Sequence, residues 1–237
     1  GPALSLEPMQ APELLPTNGL AASSLTGREA ELEQLAEKFH KIVKYERQII
    51  FLSGELGIGK TALVEAFLTR LTVGQTARSQ RDKVWIGRGQ CIEHHGEGED
   101  FLPLLDALRQ LCRTPGNEQL LTLLNRYAPT WLLQMPVAIG SAELEGARRR
   151  THGLARERML WEIAEVLERI ACAHPLVLWI EDLHWSDAST LELLAFLARR
   201  REPARLLVIG TYRPVEVANR AHRLTTMKQE LQLHHYG

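Results

Sequence analysis

Residues 47–69 read RQIIFLSGELGIGKTALVEAFLT, an order of patterns that predicts a strand, a glycine-rich loop and a helix. Gln48–Ser53 is a short apolar run without helical period, which is typical of a buried parallel strand. Gly54–Thr61 matches G-x-x-x-x-G-K-[ST] at every fixed position. The residues that follow, 62–69, predict a helix whose apolar face is formed by Leu63, Ala66 and Phe67. Strand, loop and helix together are the context in which this motif binds a phosphate chain.

The residue types of the loop explain that chemistry. Its glycines let main-chain N–H groups point at phosphate oxygens, and the N-terminus of the following helix adds partial positive charge. We expect Lys60 to reach the β- and γ-phosphates and the Thr61 hydroxyl to bind Mg²⁺. A glycine-rich turn that binds nothing is the alternative, and the complete match argues against it. The predicted nucleotide contacts of the loop are Gly54, Glu55, Leu56, Gly57, Ile58, Gly59, Lys60, Thr61 and Ala62.

A second chemical site is predicted where the apolar run 176–180 ends at Glu181 and Asp182. Carboxylates at the carboxyl end of a buried parallel strand lie where open α/β sheets bind their ligands. This is a Walker B pattern, in which the first acid holds Mg²⁺ and the second orients or deprotonates the attacking water. Asp is commoner than Glu at the first place, so the division of roles stays open, and Glu181 and Asp182 are both candidate Mg²⁺ ligands. Solvated strand-end acids are the alternative.

Two further positions are candidates for nucleotide contact. Arg213 follows the predicted strand Arg205–Ile209, where an arginine either points at a γ-phosphate or lies on the surface. The turn before the first helix contains Leu25, Gly27 and Arg28, and it is a candidate to pack against the base. For that helix Thr26 and Glu29 form a predicted capping box.

Other segments alternate between strand and helix patterns. Ser186 or Ser189 is expected to cap the helix that starts at Ala188, and Ser189 forms a capping box with Glu192. The predicted elements are a strand at Lys83–Gln90, helices at Phe101–Arg113, Gln119–Tyr127, Leu154–Ala173 and Ala188–Arg201, and a last strand at Leu231–His235.

Composition limits the class of protein. The chain has 237 residues, 45% of them hydrophobic, and a net charge of −1, so it can bury a core and lacks the basic footprint of a dedicated nucleic-acid binder. Three cysteines predict reduced thiols in the cytoplasm. No signal peptide or membrane-spanning run is evident, which predicts a soluble protein with no membrane partner. Cys91, His94, His95 and Cys112 have poor spacing for zinc.

The chain is expected to divide into two parts. Gly1-Pro2 is typical of a cleaved affinity tag, and the proline-containing residues 1–24 predict a linker from an upstream domain of a larger protein. Residues 25–237 are expected to form the α/β domain. The run Arg148–Arg150 is either a phosphate-contacting patch or a solvated loop, and the solvated loop is favoured.

Four segments in this order and spacing resemble one family. LTGREAELEQL, GELGIGKT, LVLWIEDLHWSDASTLELL and VIGTYRPVEV are similar to the AAA-type ATPase domain of STAND-class signal-transduction NTPases. The resemblance implies a P-loop NTPase fold: a five-stranded parallel sheet between helices, with the P-loop strand central. It also implies adenine held by the turn at Leu25–Arg28, Arg213 as the sensor of the γ-phosphate, and a helical lid that this chain does not reach.

The resemblance implies a function as well. Relatives of this kind are ATP-dependent switches that bind ATP or ADP with Mg²⁺, oligomerise in the full-length protein, and are often fused to a DNA-binding or cyclase domain. We therefore expect Lys60, Glu181, Asp182 and Arg213 to support slow Mg²⁺-dependent hydrolysis, with no direct nucleic-acid binding by this domain. A binding module without hydrolysis and a mechanical AAA+ motor remain alternatives; candidate trans-acting arginines for a motor are Arg199, Arg200 and Arg201.

Overall fold

The computed structural model describes residues 27–73, 83–93, 100–135, 156–218 and 222–233. Its helices in chain order are α1 (Glu29–Val43), α2 (Lys60–Thr72), α3 (Leu102–Arg113), α4 (Gln119–Tyr127), α5 (Pro129–Leu133), α6 (Arg156–Ala173), α7 (Ala188–Arg199) and α8 (Arg223–Leu233). Its strands are β1 (Gln48–Ser53), β2 (Trp85–Gln90), β3 (Leu176–Glu181) and β4 (Leu206–Tyr212). Short 3₁₀ turns follow β3 at Leu183–Trp185 and β4 at Val215–Val217.

The described strands form one parallel sheet in the order β1-β4-β3-β2. The prediction of five strands with the P-loop strand in the centre is wrong for the described residues, which form four strands with β1 at an edge. In this order β4 lies between the P-loop strand β1 and β3. A cleft of about 430 Å³ runs along the other side of β1, between α1 and α8.

Helices cover both faces of the sheet, which confirms the predicted sandwich. Successive side chains of a strand point to opposite faces, and in β3 the side chains of Val177 and Trp179 pack with α1 and α2. The alternate residues Leu178 and Ile180 pack with the larger cluster of α3 to α8. Burial on both faces explains why β3 and β4 are continuous apolar runs.

The end of the described chain differs from the prediction. Leu231–Leu233 belong to α8 and do not start a strand, while residues 234–237 lie outside the described residues. The helical period explains this result, since Leu224, Met227 and Leu231 recur at helical spacing and are all buried.

Two predicted helix starts are also corrected. α1 begins at Glu29, and its N-cap is Arg28. The predicted capping box places the N-cap at Thr26, two residues earlier. Thr26 itself lies outside the described residues. α7 is capped by Asp187 and by neither of the two serines. The Asp187 carboxylate accepts hydrogen bonds from the Thr190 amide at 2.8 Å and from its hydroxyl at 2.6 Å. Asp is among the best N-cap residues because its carboxylate accepts from free amides of the first turn.

Several weaker predictions fall where the structure gives no description. The predicted linker 1–24, the two histidines of the weak zinc pattern at 94 and 95, and the arginine run 148–150 all lie outside the described residues.

Candidate functional site

The parallel sheet brings three chain segments to one edge. In the register of the sheet Ser53 pairs with Tyr212, and Ile180 pairs with Gly210. The loop after β1, Arg213 after β4 and the carboxylates at the end of β3 therefore lie side by side. The carboxyl edge of an open parallel sheet is where α/β proteins bind ligands.

The loop between β1 and α2 has the conformation that its glycines permit. Gly57 and Gly59 have φ angles of 76° and 89°, in the left-handed region that favours glycine. Lys60 begins α2, and its Nζ donates to the carbonyl oxygens of Gly54 at 2.6 Å and Glu55 at 2.9 Å. The lysine ammonium thus lies over the loop, with the N-terminus of α2 beside it.

Thr61 connects this loop to β3. Its hydroxyl donates to Oε1 of Glu181, across the position of β4. A hydroxyl and a carboxylate are both oxygen ligands of the kind that Mg²⁺ takes in nucleotide sites. The donor set at this contact therefore fits Mg²⁺, and Thr61 and Glu181 are the residues that could hold it.

Asp182 has an unusual backbone conformation. Its φ and ψ are 56° and 46°, in the left-handed region, and its amide donates to Oγ1 of Thr211 at 3.3 Å. Non-glycine residues in this region are uncommon, although Asp tolerates it better than most. The side chain is 20% exposed, so the carboxylate is accessible from the sheet edge. Sequence reasoning located Asp182 and missed Thr211, which a strand pattern does not distinguish from a core residue.

His184 also escaped sequence reasoning. Its side chain is fully buried in the turn after Asp182, with Nε2 3.9 Å from Oδ1 of that residue. Burial lowers the pKa of His184, and the neighbouring Asp182 carboxylate opposes that shift. The available signal was a histidine two positions after the acid pair, flanked by Leu and Trp.

The turn before α1 reaches the loop through Arg28. A guanidinium nitrogen of Arg28 donates to the carbonyl of Ile58, and Gly27 has a φ of 93°. Leu25 lies outside the described residues. The structure therefore brings Arg28 to the predicted phosphate loop, and Gly27 precedes it in the chain.

Arg213 lies at the end of β4, between the loop and β3. Its side chain is 27% exposed, and a guanidinium nitrogen is 4.0 Å from Oε1 of Glu216. This long pairing leaves the guanidinium accessible at the sheet edge.

The three arginines considered as trans-acting fingers lie elsewhere. Arg199 and Arg201 are exposed at the end of α7, near the amino end of β4. Arg200 is bound to both carboxylate oxygens of Glu168 at 2.7 Å. All three arginines therefore lie at the amino ends of the strands, whereas the phosphate loop lies at the carboxyl ends.

Comparisons with known proteins show which family the chain resembles. The profile of the family described as AAA ATPase domain matches residues 24–209. An uncharacterized protein of Rhizobium meliloti (strain 1021) is 23% identical over 208 residues, which is 83% of this chain and 19% of that protein. The chain thus spans about a fifth of the length of this relative. No helix in the described ranges is long and apolar enough to cross a membrane.

Proposed function

This chain belongs to the AAA ATPase domain family, and from that membership we propose that it is an ATP-binding switch domain. It hydrolyses ATP slowly in the presence of Mg²⁺. Residues 25–237 form this domain, and its nucleotide state controls a larger signalling or transcription-regulating protein of the STAND class.

The contact between Thr61 and Glu181 carries the proposal. This hydrogen bond joins the phosphate-binding loop to the acid pair of β3, so the groups needed for phosphate and metal binding are neighbours. Lys60 on the same loop supplies a cation 2.6 Å from the Gly54 carbonyl, where a phosphate chain that follows the loop would pass.

Each residue has a distinct task in this proposal. Loop amides and Lys60 bind the phosphates, and Gly27 and Arg28 flank the loop on the base side. Thr61 and Glu181 hold Mg²⁺, which when bound neutralises charge on the phosphate oxygens. Asp182 orients the attacking water and accepts its proton, because its partly exposed carboxylate directly follows Glu181 at the carboxyl end of β3. Arg213 binds the γ-phosphate and reports its presence.

Two other functions compete with hydrolysis-driven switching. A binding module would take up nucleotide without turnover, and the accessible carboxylate of Asp182 favours hydrolysis instead. A mechanical motor requires a trans-acting arginine from a neighbouring subunit. Arg200, one of the three candidates, is already paired with buried Glu168.

The first experiment is equilibrium binding of ATP and ADP, with and without Mg²⁺, to the unaltered chain and to Lys60→Ala. Loss of a charge-assisted contact should weaken ATP binding by about 1.5–3 kcal/mol. Lys44→Ala removes an exposed lysine at the end of α1 and should leave binding unchanged. Equal affinity of the Lys60 and Lys44 variants would contradict the phosphate-binding role of Lys60.

Turnover then separates the three functions. Asp182→Asn keeps the shape of the side chain and removes the base, so hydrolysis should fall by about 100-fold or more while ATP binding persists. Tight binding with no Mg²⁺-dependent turnover in the unaltered chain would identify a binding module. Specific activity that rises steeply with protein concentration would identify a motor.

A further inference from the structure

His184 is a buried histidine beside the proposed catalytic acid, and the proposed hydrolysis does not use it. Its side chain has no exposed surface. Within the described part of the chain neither ring nitrogen has a hydrogen-bond partner. A neutral imidazole carries one N–H donor, and burial of an unpaired donor is unfavourable. An apolar side chain would fill the same space without this cost. We therefore expect the imidazole to have a polar partner.

The main chain around His184 is held on several sides. Its carbonyl accepts from Nε2 of His222 at 3.2 Å, and the turn is closed by the Trp185 amide, which donates to the Asp182 carbonyl at 2.9 Å. The preceding residue packs over β4 where a glycine leaves room, because a Cβ on Gly210 would lie 2.3 Å from a methyl of Leu183. These contacts fix the main chain of His184 relative to the sheet, and its imidazole is fully buried there.

Asp182 is the polar group that the imidazole faces. The distance of 3.9 Å from Nε2 to Oδ1 is too long for a hydrogen bond, and a shift of about 1 Å would bring it into the ordinary range. The backbone of Asp182 is held by the hydrogen bond that its amide donates to Oγ1 of Thr211, whereas its partly exposed carboxylate can rotate. The side chain with freedom to close the gap is therefore the acid and not the histidine.

We propose that His184 is a positioning residue for Asp182. Its Nε2–H donates to one carboxylate oxygen and leaves the other to hold the attacking water. Thr211 orients the main chain of the acid and His184 orients its side chain, so the water is held in one direction. This inference rests on the proposed hydrolytic role of Asp182.

Two substitutions test the donor. His184→Gln keeps an N–H near the position of Nε2, whereas His184→Met fills similar space without a donor. The methionine variant should lose about 10-fold to 100-fold in kcat with little change in KM, as expected when a supporting hydrogen bond is removed. The glutamine variant should recover most of that loss. His40→Met, on α1, is the control and should keep full turnover.

A structural effect has a different signature. The melting temperature and the ATP affinity of each variant are measured alongside turnover. If the glutamine and methionine variants lose activity equally while both stay folded, the hydrogen bond has no role and the proposal is overturned. If the methionine variant unfolds, the turnover of the glutamine variant and the nuclear magnetic resonance measurement described next test the proposal.

Nuclear magnetic resonance of ¹⁵N-histidine-labelled protein at pH 8 tests the contact without turnover. The proposal requires His184 to carry its proton on Nε2, with a shift that changes in Asp182→Ala and not in Asp187→Ala. A proton on Nδ1, or a shift insensitive to Asp182, would overturn it. Absence of Mg²⁺-dependent turnover in the unaltered chain would instead contradict the hydrolytic function, so the two failures are distinguishable.

Discussion

At the scale of single residues, the cysteines differ in their surroundings. Cys91 is buried at the end of β2, and burial raises its pKa to about 12 against the opposing hydrogen bond from Ser186. Burial also raises the pKa of Cys112 to about 11. Cys172, near the end of α6, is exposed. The thiolate is the reactive form of cysteine, so a raised pKa and burial both suppress reaction.

We expect iodoacetamide at pH 8 to alkylate Cys172 much faster than Cys91 in the folded chain. A pKa near 12 leaves only about one in 10⁴ of the Cys91 thiols ionised at that pH. Peptide mass spectrometry after timed quenching measures the two rates. Denatured protein is the control, in which the rates should converge. Comparable labelling of both residues in the folded chain would contradict the burial of Cys91.

At the scale of elements, the side chain of Glu168 links α6 to the segments before β1 and after α7. This residue of α6 accepts from Arg200 after α7, and from Arg47 before β1 at 2.6 Å. Arg47 also donates to the carbonyl of Leu197 at 2.6 Å. All three charged side chains are at most 13% exposed. Hydrogen bonding to Glu168 raises the pKa of Arg200 further, so this guanidinium keeps its charge.

We expect Glu168→Gln to destabilise the chain by about 3 kcal/mol, because it removes the buried counter-charge of two guanidinium groups and leaves only the exposed Glu202 carboxylate near Arg200. The matched control is Glu165→Gln on the same helix, whose pair with Arg169 is about 44% exposed on both sides. Loss of that surface pair should cost about 0.3–0.5 kcal/mol. Urea unfolding measures both values. Equal midpoints for the two variants would show that the buried cluster adds no stability.

At the scale of the whole molecule, the phosphate loop and the acid pair belong to strands that β4 separates. A ligand that contacts Lys60, Thr61 and Glu181 therefore binds parts of the chain that are distant in sequence and meet only in the folded state. Binding of this kind stabilises the fold, by about 2.7 kcal/mol at a ligand concentration 100 times Kd. That gain corresponds to a rise of about 5–10 °C in melting temperature for a chain of this size.

We expect ATP with Mg²⁺ to raise the melting temperature more than ATP with EDTA, and Glu181→Gln to abolish this difference. The substitution removes the carboxylate proposed to hold the metal while it leaves Lys60 in place. Glu33→Gln, an exposed change on α1, should behave as the unaltered chain. Thermal melts at fixed ATP concentration provide the measurement. If Mg²⁺ still raises the melting temperature of the Glu181 variant in the presence of ATP, the metal is bound by oxygens other than those of Glu181.

Local patterns were sufficient to locate most elements and the candidate residues. The apolar run before Gly54, the loop motif and the acid pair after Ile180 each depend on a few consecutive residues, because strand burial, glycine turns and strand-end carboxylates are local features. Helical period likewise placed α3, α4 and α6 to within two residues of their observed starts.

Only the tertiary structure decided which of these residues meet. The order β1-β4-β3-β2, the bond from Thr61 to Glu181 across β4 and the burial of His184 behind Asp182 all join residues whose proximity depends on strand pairing. Side-chain period within a strand is the same whichever neighbour it pairs with. The amino-acid sequence therefore determined which groups are available for phosphate chemistry, while the packing of the sheet and its turns determined their distances and partners.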